Sequence, residues 1–181
     1  MATQNKTDID QLLADSLKQL ASKKLLEKIT IKEITDLAGV IRPTFYNHFQ
    51  DKFELLEWII KKELLEPVQP LIRNDMFTEA MLLLFTNIER DKAFYSHVVK
   101  LEGPVTFHSI ASKCVREVLL TIINEQMTGK ESKHKWLTPE IISTYYAETW
   151  INQNMVLPPK EMAEAYQYMI TRSMMDIIKE L

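Results

Sequence analysis

Three glycines in 181 residues leave this chain few places to turn tightly. Glycine-rich phosphate loops, dinucleotide crevices and sheets built from many hairpins all need positions of positive φ or close backbone approach, so each is disfavoured here. Helices need almost none. Apolar residues recur at spacings of three and four along most of the sequence and strand candidates are few, which predicts an all-α fold. At 46% hydrophobic and 26% charged, with a net charge of -3, the chain is that of a folded protein rather than a disordered one. A chain of this length buries roughly 70% of its unfolded surface, so no disulfide or metal staple is required. Cys114 is the single cysteine, which excludes an intramolecular disulfide and any multi-cysteine zinc or iron–sulfur centre. His97 and His108 lack a third ligand at convincing spacing, so neither a metal nor another cofactor is expected. The apolar run Ala80 to Phe85 falls far short of the roughly 20 residues of a membrane span. The opening MATQNKTDIDQLL carries acids and amides where a signal peptide needs a basic start, so a cytoplasmic protein with no membrane partner is expected.

A first amphipathic helix is predicted from Ile9 to between Lys23 and Leu26, with Asp8 or Asp10 favouring its start. Thr30 and Glu33 have capping-box spacing and open a short second helix that ends before Gly39. Pro43 suits the first turn of a third helix carrying Thr44 to Phe49, and a fourth opens near Gln50 to Lys52. Pro67 and Pro70 are expected to interrupt the helical register, dividing a unit of residues 1–66 from one of residues 67–181. Further helices are predicted at about 75–90, 92–100 and 104–127, then from Pro139 and from Pro159, with an exposed polar loop at 128–135.

Residues 31–49 have the layout of a helix-turn-helix: small Ala38 at the crossing, Gly39 in the turn, and Ile34, Leu37, Val40, Phe45 and Phe49 fixing the second helix. The free face of such a helix can enter a major groove about 12 Å wide. The stretch ITIKEITDLAGVIRPTFYNHFQDK resembles the DNA-binding domain of the TetR/AcrR family of transcriptional regulators, above all in Ala38-Gly39-Val40, Thr44 to Phe49 and Asp51-Lys52. The resemblance implies a three-helix DNA-binding domain with this helix-turn-helix, followed by a helical regulatory and dimerisation domain. It makes Arg42 to His48 the recognition helix, with Arg42, Pro43, Thr44, Tyr46, Asn47 and His48 towards double-stranded DNA and Lys52 holding a phosphate. Arg42 has the donors for guanine O6/N7 and Asn47 the donor and acceptor that pair with adenine, whereas Thr44, Tyr46, His48 and Lys52 suit phosphate positioning. Ile41 departs from the family pattern, standing where a serine or threonine is common and offering no hydroxyl to cap the helix. Phe45, Phe49, Phe53 and Trp58 read as core. Lys23, Lys24 and Lys28 either solvate a helix end or attract the duplex; residues 18–62 hold nine basic and six acidic residues, a local balance of +3.

One reading head covers a short site, and the resemblance implies a homodimer made by the last two helices. Tyr145, Thr149, Met162, Tyr166, Ile170, Met174 and Ile177 are the dimerisation candidates. The middle helices are expected to hold a site for a small-molecule or protein effector, with Phe85, Phe94, His97, Phe107 and Tyr146 as lining candidates beside Met81, Tyr95, Cys114 and His108. The stretch Trp150 to Met162 also resembles regulators of dihydroxyacetone kinase operons. Two other classes compete. A helical enzyme without DNA binding lacks a credible nucleophile–base set or paired carboxylates, and a helical protein-interaction module leaves the helix-turn-helix without a use.

Overall fold

Every regular element among the described residues is helical. The computed structural model describes residues 2–74, 76–126 and 139–171. The helices are α1 (Ala2–Ala21), α2 (Ile31–Ala38), α3 (Arg42–His48), α4 (Lys52–Ile59), α5 (Glu66–Arg73), α6 (Phe77–Arg90), α7 (Lys92–Val98), α8 (Phe107–Gln126), α9 (Pro139–Asn152) and α10 (Pro159–Thr171). A 3₁₀ turn, Leu26–Lys28, links α1 to α2. Helix α1 begins before the apolar periodicity does, so Asp8 and Asp10 lie within it and do not cap it. The predicted polar loop at 128–135 lies outside the described residues.

Helix α1 packs on α2, α3 and α4. Leu13, Leu17, Leu26, Ile34, Phe45 and Leu56 are fully buried there. In the remainder α6 packs on α5 and α10, and α8 on α9. Phe85 meets Trp150 edge-on at 5.2 Å, and Phe94 meets Tyr95 at 4.9 Å. Helix α8 starts three residues after Pro104, because Thr106 and Ser109 cap it reciprocally: the Ser109 N–H donates to Thr106 Oγ1 and the Thr106 N–H to Ser109 Oγ, both at 3.1 Å.

Pro67 and Pro70 do not interrupt the chain, contrary to the expectation from sequence. The backbone stays helical from Lys52 to Arg73 by passing through a π-helical segment, Ile60–Leu65, just before the prolines. Pro67 has no N–H for the Glu63 carbonyl four residues back. That carbonyl accepts instead from Asn87 Nδ2 of α6 at 3.2 Å, and Asn87 is buried. The Glu63 side chain is also engaged. Lys18 of α1 donates to Glu63 Oε2 at 2.5 Å and to Asp91 Oδ2, between α6 and α7, at 2.8 Å. Burial opposes the Lys18 charge, but the hydrogen bonds to Asp91 and Glu63 more than offset it and raise its pKa. This charge cluster ties the first helix to the C-terminal ones. No helix among the described residues is long and apolar enough to cross a membrane.

Candidate nucleic-acid interface

The turn before the recognition helix is built from local chemistry. The Thr30 N–H donates to Glu33 Oε2 at 2.9 Å and the Glu33 N–H to Thr30 Oγ1 at 3.2 Å, completing the capping box. Lys24 also donates to Glu33, and this bond with those from Thr30 holds the Glu33 carboxyl down at about 2. Gly39 closes α2 at φ +70, its N–H turned back to the Thr35 and Asp36 carbonyls. A Cβ there would meet no atom within 4 Å, so the requirement for glycine is conformational rather than steric.

Helix α3 is held from below. Phe45 is fully buried and Phe49 nearly so, their rings 5.9 Å apart, and Phe49 meets Trp58 edge-on at 6.3 Å. Phe53 and Trp58 pack partly buried against the same core, as the sequence predicts. With those anchors fixed, Arg42, Pro43, Tyr46 and Asn47 are exposed together and Thr44 is half-buried. Arg42 Nη2 donates to Tyr46 Oη at 3.2 Å and its guanidinium lies 5.9 Å from the centre of the tyrosine ring, which restricts the arginine before any partner arrives. Lys23 and Lys28 stay exposed nearby in sequence, while Lys24 is engaged by Glu33.

Two predicted contact residues are otherwise employed. His48 turns inward: its Nδ1 meets Asp10 Oδ1 of α1 at 2.6 Å, and the side chain is 10% exposed. It pins the end of α3 to α1 and does not face outward with Arg42 and Asn47. Lys52 donates to the carbonyls of Leu26, Glu27 and Ile29 at 2.8, 2.9 and 2.8 Å. An ammonium has three donors, so none remains for a phosphate. Burial pulls its pKa below the ordinary lysine value. The bonds to Asp10 and to residues 26–29 join positions far apart in sequence, and no local pattern signalled them.

Lys52→Ala therefore has an expected outcome different from that of a phosphate contact. Three carbonyls lose a charged donor, which costs about 2 kcal/mol in stability, and the salt dependence of DNA binding stays unchanged. Thermal melts and DNA titrations at several salt concentrations check this. A salt slope reduced by about one unit at unchanged stability would restore the phosphate role.

The expected effector residues do not gather round one opening. Phe85, Phe94 and Phe107 are core, as are Met81, Tyr95 and Cys114. Burial pushes the Cys114 thiol up to about 12, where it is an inert packing group. His97 Nδ1 bonds the Ala93 carbonyl of its own helix, and His108 pairs with Glu148 at 2.8 Å. Tyr146 lines a cavity of about 210 Å³ with Thr149, Trp150, Gln153, Leu157 and Met162. A second, open cavity of about 490 Å³ between α4 and α8 is lined by Glu54, Glu57, Val105, Ser109, Ile110 and Lys113 among others. Of the dimerisation candidates, Met162 and Tyr166 are buried within this chain, where α10 packs on α6. Thr149 is half-buried. The side chains of Tyr145 and Ile170, and all of Met174 and Ile177, lie outside the described residues.

Residues 15–59 match the model for bacterial regulatory proteins of the tetR family, and residues 75–172 match the model for a transcriptional regulator C-terminal region. The chain belongs to the TetR family. This TetR-family chain is 26% identical over 92 residues to the HTH-type dhaKLM operon transcriptional activator DhaS of Lactococcus lactis subsp. lactis (strain IL1403). That match covers 51% of the chain and 49% of DhaS, so it spans about half the length of the curated relative. In fold the TetR-family chain is similar to the solved dihydroxyacetone kinase operon activator DhaS, with a TM-score of 0.57 at 19% identity, over 90% of this chain and 94% of that one. It is also similar to RolR in complex with resorcinol, with a TM-score of 0.53 at 17% identity over 92% and 89% of the two chains. A TetR-family protein is a DNA-binding transcriptional regulator and not an enzyme.

Proposed function

We propose that this regulator acts as a homodimer that reads an inverted-repeat operator with the outer face of α3, under the control of an effector. Residues 1–66 form the reading head and residues 67–181 the effector and dimerisation unit. The observation that carries this reading is the exposure of Arg42, Pro43, Tyr46 and Asn47 along one short helix whose opposite side is locked by Phe45 and Phe49. Arg42 has the donor fork for guanine and Asn47 the donor–acceptor pair for adenine, and Tyr46 and Thr44 suit the backbone. Two heads related by a dyad place their recognition helices about 34–36 Å apart, or a multiple of that, and so turn a short site into a selective one.

The opening beside Tyr146 supports a compact effector: it is smaller than most ligand clefts and mixes tyrosine and tryptophan rings with the polar ends of Thr149 and Gln153. An effector that changes the tilt or separation of the heads must itself bind differently when operator is present, because coupling is reciprocal. A protein effector is the second form of this reading, and the similarity to DhaS makes a dihydroxyacetone kinase operon, with the chain's own promoter, the first place to seek the operator.

Size-exclusion chromatography with light scattering, followed by footprinting of those promoters, tests the proposal. A dimer protecting an inverted repeat is expected. A monomer that protects no upstream site would overturn it.

A further inference from the structure

Ile41 does nothing for the fold that a polar residue would not do better. It is the N-cap of α3, with φ -86 and ψ 153, and its carbonyl accepts the Thr44 N–H at 2.9 Å. Its side chain makes no capping bond. Ser, Thr, Asn or Asp at such a position stabilises a helix over an aliphatic residue, by accepting from the N–H groups of its first turn. Ile41 does not recover that loss by packing, for it is 68% exposed, the most exposed large apolar residue described in the reading head. Val40 immediately before it packs against the core, so the chain had an inward-facing aliphatic already.

Its place gives the exposed side chain a use. Helix-turn-helix proteins bring the N-terminal residues of the recognition helix to the base edges in the major groove. The one apolar group of any size displayed there is the C5-methyl of thymine; cytosine offers only a C5–H, and the rest are hydrogen-bond donors and acceptors. A branched aliphatic side chain carried into that groove gains most against the methyl, and strips water from the polar edges of other bases without replacing it. Next to it stands Arg42, exposed and steadied by Tyr46, with the fork that fits guanine. A helix rises 1.5 Å per residue and stacked bases lie 3.4 Å apart, so consecutive residues at the helix start reach the same or neighbouring base pairs.

We infer that Ile41 is a specificity residue that reads the C5-methyl of a thymine, beside the guanine taken by Arg42. The inference rests on α3 being the reading helix, and it adds a base preference that the hydrogen-bonding residues do not supply.

Deoxyuridine lacks only that methyl, which gives a direct test. An operator is first selected from random duplex DNA by the full-length wild-type protein, and each thymine is then replaced singly by deoxyuridine in titrations of wild type, Ile41→Val and Ile41→Ser. One thymine in each half-site is expected to lose about fourfold in wild-type affinity, the worth of one buried methyl. The same replacement should leave Ile41→Ser unaffected and Ile41→Val intermediate. Ile41→Ser should melt no lower than wild type, since it gains a cap, which separates loss of reading from loss of fold. Equal tolerance of every replacement by wild type would overturn the inference while leaving α3 as the reader, as would a methyl dependence that persists in Ile41→Ser. Failure to select any operator would instead remove the reading by α3, and this inference with it.

Discussion

Replacing Lys18 by methionine is expected to lower stability by about 3 kcal/mol, the lower end of what removing one partner of a buried ion pair costs. Methionine keeps the aliphatic stem and deletes the charge that two carboxylates share, at 2.5 Å from Glu63 and 2.8 Å from Asp91. The three side chains are between 13% and 23% exposed, so water can relieve only part of the repulsion that remains. For a chain of this size the loss amounts to a fall in Tm of about 6–12 °C. The pH dependence has a definite sign. Because the folded pKa of Lys18 is raised above its ordinary value of 10.5, its contribution is fully present below that pH and is lost as the pH rises through the folded value. Adding Glu63→Gln and Asp91→Asn to the Lys18 variant should recover most of the stability. A Tm unchanged by Lys18→Met, measured by calorimetry near neutral pH, would show that the cluster carries no such energy.

The same cluster marks where sequence reasoning stopped. The capping box of Thr30 and Glu33, the turn at Gly39 and the uncapped Ile41 were legible because each is a relation between residues at most three apart or a conformation that one residue type favours. The aromatic anchors were legible by periodicity. Lys52 and His48 were not, because what decides their roles is a set of acceptors 23 to 38 residues away, the carbonyls of Leu26, Glu27 and Ile29 and the carboxylate of Asp10. Pro67 misled for a related reason. The local rule that proline breaks a helix assumes that the freed carbonyl goes unsatisfied, and Asn87, from a helix later in the chain, supplies the missing donor. In the C-terminal unit a stripe of Phe, Met and Tyr fits a core or a ligand wall equally well, and only packing tells them apart. Phe85, Phe94 and Phe107 fell to the core, and Tyr146 to the wall of a cavity.

Arg42→Ala and Asn47→Ala are expected to act on sequence choice far more than on folding. Both side chains are exposed, so neither substitution removes packing from the core. A bidentate contact to a base edge is worth about 1–3 kcal/mol of discrimination, and a dimer loses it in both half-sites. Each substitution should therefore lower the preference for operator over unrelated DNA by about tenfold or more, with Tm shifted by no more than about 2 °C. A lysine that meets only the diffuse charge of the duplex behaves differently. Lys28→Ala should weaken both DNAs alike and leave the preference where it was. The decisive measurement is the ratio of dissociation constants for non-operator and operator duplexes, titrated by fluorescence anisotropy at one fixed salt concentration for wild type and these three variants. Reading by the outer face of α3 predicts a ratio that collapses in Arg42→Ala and Asn47→Ala and survives in Lys28→Ala. A ratio that stays at the wild-type value in both α3 variants would contradict it.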